Sequence, residues 1–189
     1  MPHYESLKPF FPKNKMGNEL LEYSTVFEFH VMRGTELSIL AQEKMDYLND
    51  HPEETIETLK IVFDQLPNKF ANEKQRLLQF ASKLEMNDDV KTEFLFNEIK
   101  RPLTRNQEGL IEGTSLFNTT IAFRSLANVL ENDPNRLKPY LEEAVESHGD
   151  DLETKMALIH FYSRYDSQTA RELKAKYGFE DGMKKDEEQ

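Results

Sequence analysis

Residues Asp133–Gly178 read DPNRLKPYLEEAVESHGDDLETKMALIHFYSRYDSQTARELKAKYG, and the reading of this stretch decides the fold. It divides into three short helices separated by compact turns, with a new helix beginning roughly every 17 residues, an interval suited to helical-repeat units. Pro139 would clash in a helix interior, so the first helix is predicted to start at Asn135 or later. That helix turns Tyr140, Leu141, Ala144 and Val145 inward and stops at Gly149. Asp150 or Asp151 caps the second helix, which is read as burying Leu152, Met156, Ile159 and Phe161 or Tyr162. Asp166-Ser167 opens the third, with Ala170, Leu173 and Tyr177 inward and Gly178 at its end.

The same interval recurs toward the N-terminus, with helix starts predicted near positions 35, 52, 68 and 87. Thr35 caps a helix bearing Leu37, Leu40, Ala41, Lys44 and Leu48, and Pro52 opens the next with Ile56, Leu59, Val62, Phe63 and Leu66 inward. Asn68, then Asn87 or Asp88, cap the two that follow. Residues 19–32 fit both a helix and a strand; a helix is chosen because no partner strand is evident. Residues 1–18, with Pro2, Pro9 and Pro12 among Tyr4, Phe10 and Phe11, read as an extended arm. Leu103–Gly113 is the longest non-helical interior segment and precedes a long helix from Thr114 to about Asn132. Glu180–Gln189 is charged and almost without apolar residues, so the tail from 179 onward reads as disordered. The predicted organisation is an arm (1–18), one all-α helical-repeat domain (19–178) and a tail (179–189).

Residues 140–178 resemble a tetratricopeptide unit. The resemblance rests on Ala144, the turn His148-Gly149-Asp150-Asp151, then Ala157, Leu158 and Tyr162, and on Asp166, Ala170 and Leu173. Two helices with their turns fill about 34 residues, the length of that repeat. The resemblance implies antiparallel helix pairs stacked as a short right-handed solenoid, tetratricopeptide- or HEAT-like, with a concave face for peptides or proteins. A non-repeat helical bundle is the alternative.

Charged residues make up 31% of the chain, hydrophobic residues 38%, and the formal net charge is −11. That charge disfavours binding to nucleic acid or an anionic membrane face, which depends on Lys and Arg. Without cysteine the chain has no disulfide, thiolate metal site or cysteine nucleophile, and a cytoplasmic location is expected. No apolar run is long enough for a membrane-spanning helix.

The motifs of nucleotide-binding loops, serine hydrolases, EF-hands and zinc proteases are absent, so no cofactor, metal ligand or catalytic residue is assigned. The leading expectation is a non-catalytic scaffold that binds a protein or peptide. Arg101, Arg105 and Arg124 are the candidate contacts for an acidic ligand, with Phe161, Tyr162 and Tyr165 for an apolar anchor. A second class is an all-α enzyme or small-molecule binder with its site near the 103–113 loop; a third is a structural subunit that self-assembles as a homo-oligomer.

Overall fold

The proline-rich N-terminus is helical, where an extended arm was expected. The computed structural model describes residues 2–26, 36–149 and 151–179. Helix α1 (Pro2–Leu7) leads into a 3-10 turn at Lys8–Phe10. Proline breaks a helix interior, but Pro2 sits at a helix start and Pro9 in the first turn of the 3-10 segment, where neither N–H is required. The segment then packs on its own domain: Leu7 and Phe11 are buried, His3 Nε2 lies 3.1 Å from Glu73 Oε1, and Phe10 meets Phe70 at a tilt with ring centroids 5.7 Å apart.

Helix α2 (Lys15–Val26) begins within the region read as arm, and its partner is α3 (Glu36–Asp50). Lys44 of α3 ties the two by ion pairs to Glu19 and Glu22 at 2.7 and 2.6 Å. The helix-or-strand choice for 27–32, and the Thr35 cap, lie outside the described residues. Helix α4 (Pro52–Gln65) has Pro52 at its first position and Glu53 and Glu54 in the first turn, where the helix dipole favours acids. It buries Ile56, Leu59, Val62 and Phe63 as their spacing predicts. After Pro67, a 3-10 turn (Asn68–Phe70) precedes α5 (Ala71–Ala81), and Asn87 caps α6 (Asp88–Ile99) by accepting from Asp89 N.

Helix α7 (Gly113–Val129) is the longest among the described residues, at 17 residues, and lies against both α5 and α6. Its small buried residues Ser115, Thr119, Ala122, Ser125 and Ala127 allow that close double contact. Phe117, read as available for burial, is instead 42% exposed. Helix α2 reaches α3, α4 and α5.

The C-terminal helices are α8 (Pro134–Ser147), α9 (Leu152–Tyr162) and α10 (Ser167–Lys176); α8 packs on α6, α9 on α8 and α10 on α9. Asp133, Asp151 and Asp166 are their N-caps, and Gly149 adopts φ 53° after α8. Pro139 does not delay α8, which starts one residue before Asn135. The lost hydrogen bond would have run to the Asn135 carbonyl, and Asn135 and Pro139 are both exposed, so water can take the bond's place. Helix α9 is rotated from the expected setting: Leu152 and Met156 face solvent, while Thr154, Lys155, Leu158, Ile159 and Tyr162 are buried. Two contacts fix that rotation. The Tyr162 hydroxyl donates to the Pro134 carbonyl at 3.1 Å, and the Lys155 ammonium sits 4.6 Å over the Tyr177 ring. At the C-terminus Phe179 is still packed, its N–H donating to Lys174 O; residues 180–189 of the expected tail lie outside the described residues.

The fold is therefore all-α. Among the described residues there is no strand, only an isolated bridge between Arg105 and Ile111.

Candidate functional site

The six residues singled out from sequence separate into three groups. Arg101 and Arg105 are spent within the fold. Arg101 Nη2 reaches Asp64 at 2.6 Å and its Nε reaches Glu98 at 2.7 Å. Arg105 donates to Asp151 at 2.8 Å, to Glu153 at 3.1 Å and to the Gly109 carbonyl at 2.7 Å. It closes the 105–111 hairpin and pins it to the start of α9. Both arginines are thus clamps, where contacts to an acidic ligand were expected. Tyr162 is fully buried, so it supports the surface from beneath and cannot meet a ligand.

Asp151 is the strongest end of the Arg105 clamp. Partial burial raises its pKa, but hydrogen bonds from Arg105 and from the N–H and hydroxyl of Thr154 outweigh that and lower the carboxyl from 3.8 to about 2. A depressed folded-state pKa contributes stability above the unfolded value and loses it as pH falls through the folded value. Asp151→Asn keeps a capping side chain but removes the charge. Its melting temperature should fall below wild type by an amount worth about 0.5–1 kcal/mol, fully present above about pH 4 and gone near about pH 2. Thermal melts of both proteins across that range check the pattern.

The third group comes together. Phe123 of α7 sits beneath Phe161, Tyr162 and Tyr165, with ring centroids 5.8, 6.2 and 6.0 Å away, so it joins α7 to the end of α9. Tyr165 and Phe161 lie above it, partly exposed, 6.2 Å from each other. Arg164 lies 5.1 Å over the Phe161 ring. Arg124 is exposed, and with Arg164 it opposes the upward effect of burial on the Tyr165 hydroxyl, whose pKa is raised on balance. Neither arginine has an ion-pair partner among the described residues. Arg164 was legible only as part of a basic run with Arg171, Lys174 and Lys176; its closeness to Arg124, forty residues earlier, arises through Phe123.

A second feature lies at the base of the 103–113 loop. There α4, the 67–70 turn, α5, the end of α6 and the start of α7 enclose a pocket of about 380 Å3. Its apolar wall includes Phe63, Leu66, Pro67 and Leu78. Its polar wall holds two charged side chains of residues less than one-tenth exposed, Lys74 and Glu98. Burial lowers the Lys74 pKa, helped by the Arg101 charge and opposed by that of Glu98. Burial raises the Glu98 pKa against the pull of Arg101 and Lys74.

Hydrogen bonding in this pocket has one consistent direction. Lys74 Nζ can only donate, and it meets Asn68 Oδ1 at 3.0 Å. Asn68 Nδ2 therefore points the other way, to Thr104 Oγ1 at 3.0 Å, and that hydroxyl donates to Glu112 Oε2 at 2.8 Å. Asn118 must present its Nδ2 to Asn68 Oδ1, 3.5 Å away. Its own Oδ1 is left buried without a hydrogen-bond partner.

Among the described residues no helix is long and apolar enough to cross a membrane, and no three His, Asp or Glu side chains converge as metal ligands. The described residues define an all-α protein that carries an aromatic-basic surface patch and a pocket with polar and apolar walls. Comparison of the chain with family models, curated proteins and solved structures found no match.

Proposed function

We propose that the protein is a non-catalytic interaction module whose surface of Arg124, Phe161, Arg164 and Tyr165 takes an acidic peptide segment with an apolar anchor. One observation carries the reading: two arginines without carboxylate partners among the described residues flank two partly exposed aromatic rings, in a chain of net charge −11. Acidic groups elsewhere repel an acidic ligand, so the local cations orient it toward this face, while the rings supply apolar area that is already ordered. The serial packing of α8, α9 and α10 supports the tetratricopeptide-like, right-handed solenoid reading of residues 140–178, in which helices present such faces side by side. A cysteine-free chain suits the reducing cytoplasm.

Fluorescence anisotropy with a labelled peptide of Asp and Glu around a single Phe tests the proposal. Arg124→Glu with Arg164→Glu should weaken binding at least tenfold, and rising salt should weaken the wild type. Lys13→Glu with Lys83→Glu, two exposed charge reversals that match the net-charge change of the double reversal, serves as the control and should have little effect. Equal losses from the control and the double reversal would overturn the assignment. Light scattering over a concentration range separates this reading from self-assembly.

A further inference from the structure

We propose that the pocket at the base of the 103–113 loop is a binding site for a small 2-hydroxy or 2-amino acid with an apolar side group. The proposal is independent of the aromatic-basic surface.

Three observations carry it. First, Lys74 is 7% exposed, and its ammonium has three hydrogens to place. Among the described residues it has one acceptor, the neutral Asn68 Oδ1, and no carboxylate at ion-pair distance. The carboxylates of Asp64 and Glu98 are instead drawn to Arg101. A buried cation left in this state favours an incoming anion with oxygen acceptors, and a carboxylate fits.

Second, Asn118 Oδ1 is buried and has no donor among the described residues. The hydrogen-bond chain from Lys74 through Asn68 to Glu112 holds the Asn118 amide in this orientation: turning it over would set its Oδ1 against Asn68 Oδ1, two acceptors, and turning Asn68 as well would set its Nδ2 against the Lys74 ammonium, two donors. Asn118 and Lys74 share Asn68 Oδ1, which places the two side chains next to each other. A ligand meeting Lys74 through its carboxylate can bring a hydroxyl or amino hydrogen on the neighbouring carbon to Asn118. Third, Phe63, Leu66, Pro67 and Leu78 form an apolar wall in the same pocket, and a volume of about 380 Å3 admits a side group of aromatic size.

The chemistry separates into parts that matched probes can resolve. Phenyllactate and phenylalanine carry the carboxylate, the neighbouring donor and the ring. Hydrocinnamate lacks the donor, and phenylpropanediol lacks the carboxylate. Calorimetry on the full chain should find that at least one of the first two binds; which of them is tighter tells hydroxyl from amine. Hydrocinnamate should bind roughly fivefold to tenfold more weakly, and the diol should give no measurable heat. Asn118→Ala should erase the preference over hydrocinnamate while leaving the fold intact, because Asn118 is only partly buried. Lys74→Met should remove binding of all the acids, with circular dichroism confirming that the variant is folded. The proposal is overturned if neither 2-substituted acid binds, if hydrocinnamate binds equally well, or if Asn118→Ala leaves the preference unchanged.

Discussion

Gly17→Ala is expected to cost about 3 kcal/mol of folding stability, a large effect for one added methyl group. The cause is a backbone approach. Gly17 lies in the first turn of α2, where the Pro12 segment crosses it, and a Cβ there would stand 2.1 Å from the Pro12 carbonyl oxygen and 2.9 Å from its carbon. Backbone cannot move aside as the end of a flexible side chain can. Asn14 further fixes the crossing, its side chain accepting from Gly17 N at 2.7 Å and its carbonyl from Asn18 N at 3.1 Å. Two responses are open to the variant, and both are expensive. The core around Met16 can distort, disturbing its contact with the Thr55 hydroxyl at 3.3 Å. Alternatively residues 2–12 detach, and burial of Leu7 and Phe11 is lost, worth about 1.5–3 kcal/mol each. Urea denaturation measures the total. Hydrogen exchange at α1 tells the two responses apart, because detachment exposes only the N-terminal segment. A loss below about 0.5 kcal/mol would mean that the crossing is not made as described.

Phe123→Ala should cost about 3–5 kcal/mol, the range for removing a fully buried aromatic ring. Phe123 is 1% exposed and touches all three aromatic residues at the end of α9. The cavity falls where α7 meets α9, so the C-terminal helices should unfold at lower denaturant than the rest, giving two transitions instead of one. Peptide binding should weaken at the same time, because Phe161 and Tyr165 lose the ring that holds them. Phe123→Leu fills most of the space and should recover much of the stability and binding. The Arg124 and Arg164 reversals should leave the unfolding curve nearly unchanged, since both side chains are exposed. That contrast distinguishes support of the surface from direct contact with the ligand.

How much was legible beforehand depended on how local the physics was. Capping at Asn87, Asp151 and Asp166 could be read from the chain because a cap bonds to N–H groups two or three residues away. The stripe of Ile56, Leu59, Val62 and Phe63 was legible because a helix with one buried face needs that spacing. Helix α9 was read in part: Ile159 and Tyr162 are buried as expected, but Leu152 and Met156, at the same helical spacing, face solvent, because apolar pattern alone does not set rotation. The buried side instead contains Thr154 and Lys155, polar residues that a hydrophobic stripe passes over. Pro2 and Pro9 misled in another way, since proline bars a helix interior but not its first turn. Of the residues of the proposed surface, Arg124, Phe161 and Tyr165 stand out in the sequence by their type, whereas the pocket residues Lys74 and Asn118 do not, and Asn68 reads there only as a helix cap.

The sequence by itself determined that the chain is helical, where most of its helices begin and end, and that common catalytic motifs are missing. Those features arise from backbone sterics, capping and periodicity over a few residues. Only the tertiary structure decided how the charges were used. Arg105 meets Asp151 across 46 positions, Arg101 meets Asp64 across 37, and Lys74 is buried beside two asparagines with no carboxylate at ion-pair distance among the described residues. Ion pairing and desolvation depend on distance through space and on exclusion of water. Both are set when α7 packs against α5 and α6 and the hairpin closes on α9.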